Sequence, residues 1–178
     1  MYQQVLKFWF EEVQPAQWFK KDSEFDRLIA KRFGKTHARA VRCELFAWRE
    51  TAEGRLAEII VLDQFSRNMF RGSAKAFVND QMALILAQEA VALKFDEQLA
   101  SSKRGFIYLP FMHSESPIIH EVAEKIYRRQ AVQSSLEWEM KHKAIIERFG
   151  RYPHRNEILG RESTREELEF LQQPNSSF

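Results

Sequence analysis

The chain has a single cysteine, Cys43, so no intrachain disulfide can form, a composition that fits a reducing compartment. Cys43 follows a helical pattern with no histidine beside it and reads as a small core residue rather than a working thiol. Long apolar runs are also missing. The most apolar stretch, Met82–Ala87, is closed by Gln88 and Glu89, too short to span a bilayer. The opening Met1–Leu6 has neither the basic start nor the apolar stretch of a secretory signal, so a cytoplasmic location and no membrane partner are expected. Neither sign of charge dominates: 27 Lys and Arg against 25 Asp and Glu leave a net +2, which gives nucleic acid no electrostatic footprint. Gly54, Gly72 and Gly105 stand apart, so no phosphate-cradling loop exists, and no cofactor motif is present. Strand-like alternation, low-complexity linkers and residue-level repeats are lacking as well.

What is there is aromatic and helical. Aromatics make up 13% of the chain, fifteen of them Phe, while the few Gly and Pro fall where helices would stop. The first helix is expected over about Tyr2–Glu11 with Val5, Leu6 and Trp9 inward. A second, capped at Asp22-Ser23, carries Phe25, Leu28, Ile29 and Phe33 on one buried face. Thr51 caps a third, with Leu56, Ile59, Ile60 and Leu62. A fourth, from Asn79 or Asp80 to about Phe95, is apolar on almost its whole circumference and reads as central. Ser101 or Ser102 opens a fifth that Pro110 ends, and Pro117 opens a sixth. Ser134 or Ser135 opens a seventh whose Trp138, His142, Ile145 and Phe149 share a face until Gly150 stops it. Ser163-x-x-Glu166 and Thr164-x-x-Glu167 announce the last helix. The expectation is an all-α chain, one domain of about eight helices over residues 1–173, with a loose tail at 174–178.

Three polar clusters interrupt this pattern. In Asp63–Asn68, Asp63 and Arg67 are four apart and can pair on a helix, and a carboxylate partly out of water beside Leu62 and Phe65 can orient an arginine or act as a base. The structural reading, a salt-bridged helix end, carries more weight there. In Tyr108–Glu115, His113 is a candidate general base, although neighbours in sequence such as His113-Ser114-Glu115 point apart and make no triad. In Arg151–Asn156, two arginines in one loop form a fork for carboxylate or phosphate, weighed evenly against a latch on the preceding helix end. His120 and Glu124 share a helix face but lack a second histidine, so a solvated face is expected and no metal. His142, between Trp138 and Ile145, reads as a buried neutral imidazole with one hydrogen bond.

Phe8-Trp9-Phe10, Trp18-Phe19-Lys20, Leu62 to Gly72, Tyr108 to Glu115 and Arg148 to Asn156 with Leu159 to Thr164, in this order, resemble the bacterial family called domain of unknown function 924. The resemblance implies an all-helical fold similar to tetratricopeptide-type α/α superhelices and brings no reaction with it. The leading functional expectation is one polar pocket for a small anionic metabolite, with Asp63, His113 and His154 as candidate catalytic groups and Arg67, Asn68, Tyr108, Arg151, Arg155 and Asn156 as ligand contacts. Two alternatives stand beside it: a hydrolase using a His/Asp pair in that pocket, and a protein-interaction module whose partner is anchored by Trp18, Phe19 or Trp48.

Overall fold

The computed structural model describes residues 1–130, 133–174 and 176, with the backbone only for Gln130, Gln133 and Ser134. The expected Ser134 cap and most of the tail lie outside these residues. Every regular element among them is helical. They form two compact units, Met1–Arg71 with Lys75–Pro110, and Gly72–Ala74 with Phe111–Phe178.

In the first unit, α1 (Tyr2–Lys7) runs directly into a π-helical turn at Phe8–Glu12. It is followed by α2 (Ser23–Val41), α3 (Ala52–Ile60), a second π-helical turn at Val61–Phe65, the short α4 (Ser66–Met69) and α5 (Asp80–Ala92). Helix α6 (Ser101–Met112) begins here and ends in the second unit. The caps follow the sequence. Asp22 accepts from the N–H groups of Glu24 and Phe25 at 3.0 and 3.1 Å, and Thr51 from that of Gly54 at 3.0 Å, each satisfying orphan helix-end donors and stabilising its helix by about 1 kcal/mol. An aromatic cluster fills the core. Trp9 is fully buried, edge-on to Phe65 at 5.5 Å and to Phe106 at 5.8 Å, and Phe33 meets Phe8 and Phe65 at 5.0 Å each. Such ring pairs add about 0.5–1.5 kcal/mol each beyond area burial.

Four expectations are corrected in this unit. The buried stripe of α2 is Phe25, Ile29, Phe33, His37 and Ala40, with Leu28 on its flank and half exposed. Helix α5 buries only Ala83, Leu86, Ala87 and Ala90 and leaves Ile85 open, so it covers the core from one side. Pro110 does not end α6, which continues for two residues beyond it. Cys43 is exposed rather than in the core: α2 stops at Val41, and the cysteine lies in the following turn at φ 58°.

In the second unit, α7 (Pro117–Gln130) packs along α8 (Gln133–Phe149), and α9 (Arg165–Leu171) closes it. Gly150 stops α8 with a left-handed φ of 68°, a conformation that costs a side-chain-bearing residue energy. Thr164 and Glu167 form the expected reciprocal capping box, with N···O distances of 3.2 and 2.7 Å. Ile145, Ile146 and Tyr152 are buried with Phe149 and Phe170 against them. Trp138, expected on that face, is 46% exposed with the Lys141 ammonium 4.3 Å from its ring centre. The buried stripe of α8 runs through Glu139, His142 and Ile146, which leaves residue 138 about 100° off axis.

Candidate functional site

The structure divides the sequence candidates between the two units. Asp63, Arg67, Asn68 and Tyr108 belong to the first; His113, Arg151, His154, Arg155 and Asn156 belong to the second.

In the first unit, the π-helical turn at 61–65 brings Asp63 inside, 1% exposed. The expected i,i+4 pair forms, with Arg67 Nη1 2.9 Å from Asp63 Oδ1. The same guanidinium also grips Asp80 through two bonds of 2.8 and 2.9 Å, so one cation ties two carboxylates. Asn68 and Arg71 both donate to Asp26 on α2. Tyr108 is buried and donates to Asp96 at 2.6 Å. A buried Ser66–His37 contact of 2.8 Å has the look of a nucleophile and its base, but the hydrogen bonds exclude that role. Ser66 has one hydrogen and gives it to the Leu62 carbonyl at 2.6 Å, while Asn79 donates to its oxygen, so His37 must donate through Nε2 and cannot take the serine proton. Burial lowers the basicity of His37 as well. The Asp63 cluster is therefore a set of latches between helices.

The second unit has a polar core that sequence reasoning did not assemble. His120, expected on a solvated face, is fully buried, and its Nδ1 lies 2.7 Å from Glu139, itself fully buried. On the other side of the ring, Nε2 reaches the Ser114 carbonyl at 2.8 Å and the Tyr152 hydroxyl at 3.2 Å, and that hydroxyl donates to the Met112 carbonyl at 2.5 Å. Glu139 is pushed above the usual carboxylate range by burial, which the His120 bond only partly offsets. Its second oxygen accepts no hydrogen bond among the described residues. Glu139 was missed although it is three residues before His142, on the same face of α8. His142 fits its expected reading: buried, with Nδ1 2.8 Å from the Trp138 carbonyl. Its pKa is lowered to about 3, mainly by burial and further by His113, His120 and His154. Glu124 pairs with Lys143 and Arg128, and no group of three or more metal-ligating side chains forms among the described residues.

Of the Arg151–Asn156 loop, Arg151 acts as the latch. It makes two bonds of 2.7 and 2.8 Å to Glu167 and one to the Glu162 carbonyl, and this arginine, against the cost of burial, holds the Glu167 carboxyl down at about 2. Arg155 is buried with its guanidinium 4.5 Å from the Tyr152 ring centre. Asn156, fully buried, donates to the Ser163 hydroxyl at 3.0 Å. Gly160 turns the chain at φ 65°, sending Arg161 back to Glu115 through bonds of 2.6 and 2.9 Å. Glu115 also accepts the Tyr152 N–H at 2.8 Å; burial would raise its pKa, but these bonds lower it overall. Between this turn and α9 lies a cleft of about 710 Å³, with His154, Arg161, Ser163 and the carboxylates of Glu157 and Glu162 around an apolar side of Pro153, Leu168 and Leu171. Its size is that of a small-molecule site.

The helical elements and these two polar clusters belong to an all-helical class for which no reaction is defined. The chain is a member of the family described as "Bacterial protein of unknown function (DUF924)", whose sequence model matches residues 5–175. It is similar to a solved structure, a protein of unknown function, ATU0120, from Agrobacterium tumefaciens, at 39% identity over 97% of each chain with a TM-score of 0.92. No curated protein matches it. No helix among the described residues is long and apolar enough to cross a membrane.

Proposed function

We propose that the protein binds a small carboxylate- or phosphate-bearing ligand in the cleft of its second unit. The observation that carries this reading is the wall of that cleft, where an imidazole, a guanidinium and a hydroxyl meet beside an apolar surface. The anion contact moves from Arg151, which Glu167 already engages, to Arg161 and Ser163. His154 on the same wall gives the acid–base alternative its only specific support, since a base must lie within reach of the bound molecule.

A thermal-shift screen of common carboxylate and phosphate metabolites tests the binding. Stabilisation that rises with ligand concentration, and that Arg161→Ala abolishes, is the expected result. A screen with no hit, or a hit that Arg161→Ala leaves untouched, ends the proposal.

A further inference from the structure

The same cleft has a chemical pattern more specific than affinity for anions, and the inference drawn from it rests on the cleft being the binding site. On one side stand two donors. Arg161 commits both terminal nitrogens to Glu115 and the Tyr152 carbonyl, which leaves its Nε–H buried without an acceptor among the described residues. A buried guanidinium N–H in this state calls for an acceptor from outside the chain. Ser163 takes the Asn156 amide hydrogen on its oxygen, so the hydroxyl's own hydrogen is available to a second acceptor. Both residues line the cleft, and together they suit the two oxygens of one carboxylate.

Facing them are two acceptors. Glu157 and Glu162 are exposed, line the cleft, and make no ion pair among the described residues. Arg161 is already neutralised by Glu115, so the net charge of this wall is negative and a bare dianion such as phosphate is disfavoured. A ligand that brings its own cation beside its carboxylate satisfies both sides. The third side, Leu168, Leu171 and Pro153, offers apolar surface, with Leu168 half exposed.

We infer that the cleft takes a free α-amino acid with an apolar side chain: carboxylate on Arg161 Nε and Ser163, ammonium on Glu157 and Glu162, side chain against Leu168 and Leu171. Calorimetric titration of the full chain with L-leucine, 4-methylpentanoate, 3-methylbutylamine and inorganic phosphate tests it, because the second and third probes are leucine without its amine and without its carboxylate. Leucine is expected to bind at least tenfold more tightly than any of the other three. The double substitution Glu157→Gln, Glu162→Gln, at exposed positions that leave the fold intact, should bring leucine to the level of 4-methylpentanoate without weakening the latter. Should 4-methylpentanoate or phosphate match leucine in the native protein, the amino-acid inference is overturned while anion binding stands. Should none of the four bind, and the wider metabolite screen also be blank, both fall.

Discussion

Arg67 in the first unit and Arg161 in the second are both partly buried arginines gripping a carboxylate through two bonds, yet their surroundings differ in one respect. Arg67 holds Asp80 and a second carboxylate, Asp63, that is itself out of water. Arg161 holds one carboxylate that remains about a quarter exposed, and keeps a buried N–H in hand beside a cleft. The first arrangement is electrostatically closed and can only contribute to stability. The second is incomplete, and incompleteness at the wall of a cavity is what a ligand reads.

Truncating both arginines separates the two cases. Arg67→Ala leaves Asp63 and Asp80 without their cation and should cost about 3–5 kcal/mol, lowering the melting temperature by roughly 10 °C in thermal unfolding followed by circular dichroism. Arg161→Ala should cost roughly 2 kcal/mol, since water reaches Glu115, and should remove ligand binding as well. Equal losses in the two variants would break the distinction. The next effect is pH-dependent. His142 is held at about 3 against an ordinary 6.5, so the unfolded chain takes up that proton first. Its contribution is complete above 6.5 and is lost as pH falls from there towards 3, at up to about 1.4 kcal/mol per pH unit. Urea titrations between pH 7 and 5, above most carboxylate titration, should show this slope in the native protein and a flatter one in His142→Gln. The smallest effect belongs to Ser163→Ala, which should leave stability within about 0.5 kcal/mol and weaken a bound carboxylate roughly fivefold.

Much of the fold was legible because helix ends are written locally. Asp22, Thr51, Thr164 with Glu167, Pro117 and Gly150 each act within a turn of their own position, and each does what its residue type dictates. The Asp63–Arg67 pair was legible for the same reason, being one helical turn apart. Asp80, thirteen residues from Arg67, was not, and that partner is what turns the pair into a latch. Likewise His120 and Glu139 lie nineteen residues apart on different helices, so spacing alone left His120 among exposed carboxylates. Arg151 and Arg161 show the limit most plainly. Both are arginines beside helix ends, and only the partners brought by the fold, Glu167 for one and Glu115 for the other, decide which keeps a donor for the cleft.

The π-helical turn at Val61–Phe65 carries a consequence for how this chain can change by insertion and deletion. Such a turn amounts to one residue more than the α-helical path requires. Removing any one residue there would restore the ordinary winding and swing Ser66–Met69 by about 100° around the helix axis. Arg67 would leave Asp80 and Asn68 would leave Asp26 together, although neither residue had been altered. A point substitution in this stretch tests one contact at a time, whereas a single-codon deletion disconnects them all, so the length of the segment is under tighter constraint than the identity of most residues in it.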